Sequence, residues 1–284
     1  MNSLHVCLIR CAAFALCAVS PIQAQTSWYD GCRPESGYNE FAGEDGRLNA
    51  QKLTGPPGWE AGWSLPKEGS SALYVFREAA GLKYPAITYP GGGGVQITAT
   101  DTSSQNVGRK MTGGIPMKGN TAVYASFLFS ASEKRPQGTA YALFSGIGGL
   151  GAGISDGFLM VLARQETGKD DAGMTKREWV PMVSQEYTPN TVYYFVIKIS
   201  DGGDAWGGPD EMSVWINPKD ISSEDKASTT AIMFNTEAPG NIAPPSGSIN
   251  QVTLFSENLQ GVTLKFDELR IGTTWESVTG PVNP

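Results

Sequence analysis

Three short runs of the sequence, YASFLF (124–129), FLMVLA (158–163) and VYYFVIKI (192–199), carry apolar residues at both odd and even positions. Side chains of a β-strand alternate between the two faces of its sheet, so a strand of this kind needs apolar surroundings on both faces. Each run is far shorter than the roughly 20 residues of a membrane-spanning helix. The runs therefore predict strands covered on both sides, as in two stacked antiparallel sheets.

The rest of the chain fits the same class. It contains 35 Gly and 18 Pro, spread throughout, and no segment sustains the period of an amphipathic helix. Strand-like patterns are separated by turn signals, and we predict ten strands: Leu73–Arg77, Val95–Thr100, Ala122–Phe129, Ala140–Phe144, Phe158–Ala163, Val192–Ile199, Met212–Ile216, Thr230–Phe234, Gln251–Phe255 and Val262–Ile271. That number favours an all-β, two-sheet antiparallel jelly-roll sandwich over a smaller immunoglobulin-like one.

The N-terminus has the pattern of a secretory signal. Arg10 precedes an apolar run from Cys11 to Val19, and the small residue Ala24 lies where a signal peptidase would cut. An N-terminal membrane anchor is the alternative, but the run is too short for a spanning helix. We expect a signal peptide over 1–24, a flexible lead over 25–37 and one domain over 38–284, located in the periplasm, on the cell surface or outside the cell.

Removal of this segment changes the available chemistry. It takes away the only histidine, His5, and three of the four cysteines, leaving Cys32. A mature chain without histidine has no Ser-His-Asp or Cys-His mechanism and no imidazole-based zinc site. It also loses Arg10, so that 20 basic residues face 28 acidic ones and the net charge is about −8. Such a chain is a poor partner for nucleic acid, and no membrane span is predicted in it; its oligomeric state is not indicated.

The stretch GVTLKFDELRIGTTW (261–275) contains a slip in the strand pattern. Val262, Leu264 and Phe266 share one phase, whereas Leu269 and Ile271 share the other. A β-bulge produces such a slip, because it inserts one residue into a strand. We expect the bulge to turn Asp267 inward with Leu269 and Ile271, and to leave Glu268 and Arg270 on the opposite face. A buried carboxylate needs partners, either backbone amides or a calcium ion.

The ending DELRIGTTWESV (267–278) resembles the last strand of the concanavalin A-like lectin/glucanase superfamily, and in particular exported bacterial LamG-like jelly-roll proteins. Three other stretches share the resemblance: 38–63, TAVYASFLFS (121–130), and YYFVIKI with DEMSVWINP (193–199 and 210–218). The resemblance implies the fold and says little about activity, since one fold carries many functions. It also implies that Asp267 holds a structural calcium ion with backbone carbonyls near Asn39–Gly43.

The resemblance supplies no catalytic residues. Glucanases of the superfamily carry acidic residues at alternate positions of one strand, which place them in one cleft. In DEMSVWINP and FDELR the acidic residues are neighbours and point to opposite faces. FDELR also copies only half of an alginate-lyase-like strand, and the histidine that partners it in those enzymes is absent. We therefore name no catalytic residue.

Binding makes smaller demands on a sequence, because a sugar needs only an aromatic surface and a few polar groups. Trp206 lies in a glycine-rich loop, Trp179 follows a charged stretch, and Trp215 is out of phase with the core positions around it. These three are the candidate ligand contacts, although packing is the alternative for Trp215. Trp59, Trp63 and Trp275 lie in the stretches shared with the family and are expected to pack internally.

The sequence thus favours a secreted or cell-surface, non-catalytic β-sandwich protein that binds a polysaccharide or a cell-surface glycan. A carbohydrate-active enzyme with an atypical site, either a polysaccharide lyase or a glycoside hydrolase, is one alternative. A structural or adhesive envelope protein is another. A platform of aromatic rings on a sheet face would favour binding, whereas carboxylates or Tyr, Arg and Lys clustered in one cleft would favour the enzyme.

Overall fold

The computed structural model of the chain describes residues 28–30, 59–60, 73–78, 81–87, 93–99, 105–116, 121–133, 139–145, 150–200, 211–234, 248–258 and 261–281. Within these ranges the strands are β1 (Trp28–Asp30), β2 (Leu73–Glu78), β3 (Gly94–Ala99), β4 (Gln105–Pro116), β5 (Ala122–Ala131), β6 (Thr139–Ser145), β7 (Leu150–Ser155), β8 (Phe158–Lys169), β9 (Thr175–Glu186), β10 (Tyr193–Ser200), β11 (Glu211–Ile216), β12 (Ala231–Phe234), β13 (Ser248–Glu257) and β14 (Thr263–Gly272). A 3-10 turn covers Glu224–Lys226, and the short helix α1 covers Trp275–Thr279.

The strands form two antiparallel sheets. The eight-stranded sheet has the order β12-β11-β10-β5-β14-β3-β2, with β1 also paired to β14. The six-stranded sheet has the order β4-β13-β6-β7-β8-β9. Side chains of both sheets meet in one main core, in which Phe127, Phe195 and Phe266 of the larger sheet pack with Val161 and Val252 of the smaller one. The predicted all-β class and two-sheet jelly-roll sandwich are confirmed.

The outer face of the eight-stranded sheet is covered as well. A second apolar cluster lies there, built on Leu128, Tyr194, Val196 and Trp215, and α1 packs on it through Trp275. The runs at 124–129 and 192–199 therefore have apolar surroundings on both faces, as their sequence predicts. Among the helices of the described residues, none combines the length and apolar character that a membrane crossing requires.

All ten predicted strands are present, and four further strands are not obvious from the sequence. Two of these, β4 and β9, are the edges of the six-stranded sheet. Edge strands tolerate charge and proline because one side of the backbone has no partner strand, which explains Arg109 and Lys110 in β4 and Pro181 in β9. The third, β7, lies in a stretch predicted as a glycine-rich turn.

The fourth unpredicted strand, β1, corrects the expectation of a flexible lead over 25–37. Trp28–Asp30 pairs with β14, opposite Ile271, Arg270 and Leu269. A backbone segment held by a strand ladder is fixed in place, so part of the predicted lead belongs to the folded domain. Within SSEDKAS (222–228) the chain forms the 3-10 turn.

Candidate functional site

The predicted bulge in β14 is confirmed. Asp267 pairs with Leu128 of β5, and the next pair is Arg270 with Ser126, so that Glu268 and Leu269 face a single residue of β5. Glu268 has a φ of 52°, a left-handed conformation that non-glycine residues adopt at local cost. The inserted residue brings Leu264, Phe266, Leu269 and Ile271 into the same core, despite their different phases in the sequence.

Asp267 is buried as predicted, with 4% of its surface exposed, but the predicted face is wrong. The extra residue follows Asp267, so Asp267 keeps the phase opposite to Phe266 and lies on the outer face of the eight-stranded sheet. There its Oδ2 accepts a hydrogen bond from the Leu82 amide at 2.7 Å, and its Oδ1 accepts one from the Glu268 amide at 2.7 Å. A Cβ on Gly81 would stand 2.6 Å from Oδ2, so the glycine lets this loop approach the carboxylate.

Glu268 and Arg270, expected together on the face opposite Leu269 and Ile271, lie close to each other and are both buried. Glu268 is 2% exposed, and its Oε2 lies 3.9 Å from Nη2 of Arg270, which is fully buried. Arg270 also donates from Nη1 to the Gly280 carbonyl. The four residues Asp267–Arg270 therefore join β14 to the segments that cover the outer face, which is a structural role.

The described surroundings of Asp267 do not fit a calcium ion. Calcium takes six to eight oxygen ligands, whereas the two groups that meet the carboxylate here are amide donors. No group of three or more His, Cys, Asp or Glu side chains in the described part of the chain is placed to hold a metal. The carbonyls expected from Asn39–Gly43 lie outside the described residues, so calcium binding stays a prediction.

The candidate tryptophans have different positions. Trp215 faces away from the main core, as predicted, but it is only 2% exposed. Its ring packs against Trp275 at 5.0 Å between centroids, and its Nε1 donates to the Ala227 carbonyl at 3.3 Å. It is a packing residue of the outer cluster, which corrects its proposed contact with a ligand. Trp179 belongs to β9, and Trp206 lies outside the described residues.

The internal tryptophans follow the expectation where they are described. Trp59 and Trp275 are buried, and Trp63 lies outside the described residues. Trp275 donates from Nε1 to the Ile221 carbonyl at 2.9 Å, which ties α1 to the segment before the 3-10 turn. Trp59 packs in the main core beneath the guanidinium of Arg109, whose Cζ is 5.0 Å from the ring centroid.

One cluster on the outer face of the eight-stranded sheet has the composition of an active site. Nζ of Lys198 lies 2.8 Å from Oε1 of Glu224 and 3.9 Å from Oε1 of Glu211, and the hydroxyl of Tyr124 donates to Oε2 of Glu224 at 2.6 Å. Burial, followed by the hydrogen bond to Glu224, raises the pKa of Tyr124 far above its ordinary value. The phenol stays protonated at neutral pH and is no general base. The cluster instead holds the segment 217–230 on the sheet.

The other candidate surface is the face of the six-stranded sheet that points away from the core, which we call the open face. Val252 and Leu254 of β13 and Leu159 and Val161 of β8 point into the core, so the residues between and beside them point outward. The described side chains that point outward include Gln251, Thr253, Phe255 and Glu257 of β13, Lys110 of β4, Phe158, Met160 and Leu162 of β8, and Ser184 and Glu186 of β9. Sequence reasoning missed this surface.

Glycines shape the centre of the open face. In β7, Ala152 and Ile154 point into the core, and the outward positions are Gly151 and Gly153. At these two positions the strand carries no side chain on this face between its neighbours β6 and β8, which lie about 10 Å apart at two strand spacings. Both glycines are nevertheless buried, so this strip of backbone is covered. The alternation of Gly with Ala and Ile in LGAGIS is its signal in the sequence.

Phe158 is the first residue of β8 and lies beside the turn end of β7. Asp156 and Gly157 have φ of 49° and 82° and join β7 to β8 as a two-residue turn, so that Ser155 pairs with Phe158. An Asp-Gly pair with both residues at positive φ matches the hairpin turn that suits strand twist. Phe158 remains 40% exposed, a high value for an aromatic ring within a strand.

Polar groups on the open face lie at different distances from the exposed ring. Gln251 is six residues along β13 from Glu257, which shares a row with Phe158 three strands away, so it lies about 25 Å from the ring. The Gln251 side chain donates from Nε2 to Oγ1 of Thr253 at 3.0 Å, which fixes the orientation of the amide on the open face. The amide carries a second N–H and a carbonyl oxygen, so it can both donate to and accept from a hydroxyl. Glu186 pairs directly with Phe158 across β8 and β9. Apolar ring, oriented amide and carboxylate are the group types that recognise a sugar.

Comparison with known proteins bears on the architecture alone. No protein-family model matches the chain, and no curated protein matches its sequence. Among solved structures it is similar to "Cellulose induced protein, Cip1" at 12% identity, over 80% of this chain and 94% of that one, with a TM-score of 0.46. It is similar to a carbohydrate esterase from the Shiga toxin-encoding bacteriophage phi24B at 11% identity, over 81% and 94%, with a TM-score of 0.43. For the botulinum neurotoxin serotype D binding domain the identity is 10%, the coverage 76% and 49%, and the TM-score 0.40.

Proposed function

We propose that this protein is an exported, non-catalytic sandwich of the concanavalin A-like type that binds a glycan on its open face. The observation that carries the proposal is Phe158, an exposed ring held by a hairpin turn on a sheet face that points away from the core. Isolated exposed apolar residues are common on protein surfaces. Here the ring shares one sheet face with Met160, two residues along the same strand, and with Glu186, its partner on the next strand.

The proposal excludes a catalytic role for the residues that most resemble one. Tyr124, Lys198 and Glu224 bond to one another and hold a covering segment in place. Asp267, Glu268 and Arg270 are buried under the outer cover of the other sheet. Neither group lies on the open face, so a substrate bound there would meet neither.

The test is a pull-down of the chain from Gln25 to Pro284 on a panel of insoluble and immobilised polysaccharides, with an assay for released reducing ends. Retention without released ends supports the proposal. Released ends would establish the enzyme instead. If the chain is not retained and no ends are released, the envelope-protein alternative is favoured.

A pair of matched variants locates the surface. Phe158→Ala should weaken retention by about fivefold or more, since an aromatic anchor at the centre of a binding site is among the few contact residues whose truncation costs more than about 1 kcal/mol. Ile232→Ala is the control, because Ile232 is 49% exposed and lies on the other sheet. Equal retention of the two variants would contradict binding on the open face. Trp179→Ala and Trp206→Ala extend the test to the two candidate tryptophans.

Export is the second part of the proposal. The apolar run before Ala24 supports cleavage there and a location in the periplasm, on the cell surface or outside the cell. Mass spectrometry of the protein recovered from cell fractions and medium would identify its N-terminus. A chain that begins at Gln25 supports export, and a cytoplasmic chain that retains residues 1–24 contradicts it.

A further inference from the structure

The β8–β9 hairpin extends beyond its neighbouring strand and ends in an exposed tip. Its last strand pair is Lys169 with Thr175, and the five residues Asp170–Met174 connect the two strands. β8 continues for six residues beyond Ala163, which pairs with the first residue of β7. At about 3.3 Å per residue, the tip lies about 20 Å past the end of β7. All of residues 168–174 are exposed.

Hydrogen bonds within the tip fix its backbone. The Asp170 amide donates to the Met174 carbonyl at 2.8 Å, and the Gly173 amide donates to the Asp170 carbonyl at 2.9 Å. The Asp170 carboxylate accepts at Oδ1 from the amides of Ala172 at 3.0 Å and Met174 at 2.8 Å. Gly173 has a φ of 79°, which glycine adopts without steric cost. The turn therefore holds the backbone of Met174 in one place at the surface.

Met174 is far more accessible than the other methionines whose exposure the structure describes. It is 67% exposed, whereas Met111 is 1% exposed and Met212 is fully buried in the main core. Met160 and Met182 have intermediate exposure. A small reagent reaches Met174 in the folded chain. It reaches Met111 and Met212 only when core strands open, which needs a free energy close to that of global unfolding.

We propose that Met174 is the site at which peroxides oxidise the folded protein. A lone pair of its thioether sulfur attacks the terminal oxygen of the peroxide, so that an S–O bond forms while the O–O bond breaks. The sulfide is oxidised by two electrons to a sulfoxide. The peroxide is reduced to an alcohol, or to water in the case of hydrogen peroxide, and the leaving oxygen takes the proton of the oxygen that is transferred.

The oxidised residue stays compatible with the fold. A sulfoxide is polar and disrupts a core, but at an exposed position it removes little apolar packing. Methionine sulfoxide reductases reverse the change, so the modification need not be permanent. The site is separate from the surface proposed above for glycans, because Phe158 lies at the other end of β8, eleven residues or about 36 Å from Lys169.

The experiment treats the chain from Gln25 to Pro284 with hydrogen peroxide, once in native buffer and once in denaturing urea. Peptide mapping by mass spectrometry gives the rate at which each methionine gains one oxygen. In urea the methionines should react at similar rates. In native buffer Met174 should keep its urea rate within about threefold, whereas Met111 and Met212 should react at least about a hundredfold more slowly than in urea.

A stability measurement accompanies the map. The chain with one oxygen at Met174 should melt within about 2 °C of the untreated chain, as expected for a change at an exposed site. Met174→Leu, treated with the same peroxide, is the control, because leucine keeps an apolar side chain and has no sulfur. Its Tm shows what oxidation of the remaining residues does to the fold.

Three results would overturn the proposal. Native oxidation of Met111, Met160, Met182 or Met212 as fast as that of Met174 would show that the exposed tip does not select the site. A native rate at Met174 more than about tenfold below its rate in urea would show that its sulfur is covered. A larger fall in Tm in the oxidised wild type, absent from the treated Met174→Leu, would show that the fold depends on the unmodified side chain.

Discussion

Replacement of Asp267 by alanine should be among the most damaging single changes to this fold. The side chain accepts hydrogen bonds from two backbone amides, those of Leu82 and Glu268, in a place closed to water. A buried donor left without its acceptor costs about 1–3 kcal/mol. Two such donors are left unpaired in Asp267→Ala, but the variant also no longer bears the free-energy cost of burying a carboxylate. We therefore expect a net loss of about 3 kcal/mol in the free energy of unfolding. That corresponds to a fall of about 6–12 °C in Tm.

The assay is thermal and urea unfolding of the wild type beside Asp267→Ala, Asp267→Asn and Asp171→Ala. Asparagine keeps one acceptor oxygen, so Asp267→Asn should lose less than Asp267→Ala. Asp171 is exposed at the tip of the β8–β9 hairpin, and its replacement should stay within about 0.5 kcal/mol of the wild type. If Asp267→Ala were as mild as Asp171→Ala, the assignment of Asp267 as the anchor of β14 would be refuted.

A double-mutant cycle tests the contact itself. Gly81→Ala would bring a Cβ to within 2.6 Å of Asp267 Oδ2 and push Leu82 away from the carboxylate. The two changes should therefore couple, with an interaction free energy of about 0.5–3 kcal/mol, so that Gly81→Ala costs less once Asp267 is alanine. Strictly additive effects would show that the carboxylate and the loop at Gly81 stabilise the fold independently.

Three further predictions concern buried charges and phenols. Glu268→Ala should lower the free energy of unfolding in urea by about 2 kcal/mol or more, because buried Arg270 loses the carboxylate 3.9 Å away. If Glu268→Ala were as stable as a variant changed at an exposed site, this prediction would be wrong. Burial raises the pKa of Tyr194 to about 12 from 10.0, so the folded chain holds a proton that the unfolded chain releases above pH 10. The associated stability, about 2–3 kcal/mol, is present below pH 10 and lost as the pH rises to 12, and Tyr194→Phe should flatten that decline. A calcium chelator should leave Tm unchanged, since amides occupy both oxygens of Asp267; a fall in the wild type that Asp267→Ala does not show would place calcium there.

Local pattern predicted more of the fold than of the candidate site. The phase change between Phe266 and Leu269 predicted the bulge, because a strand can return both residues to one core only by inserting a residue. It did not predict the face on which Asp267 lies, since that depends on which side of the carboxylate the insertion falls. Likewise, the phase of Trp215 predicted that it faces away from the core but not that Trp275 and Ala227 cover it.

The sequence by itself determined the all-β class and the burial of its central strands on both faces. Each of these depends on composition or on neighbours along the chain. Only the tertiary structure decided which surface is open. Trp215 is buried because α1 and the segment with the 3-10 turn cover the outer face of the eight-stranded sheet, whereas Phe158 is exposed on the outward face of the six-stranded one. Both outcomes depend on contacts between segments far apart in the chain, which no local pattern records.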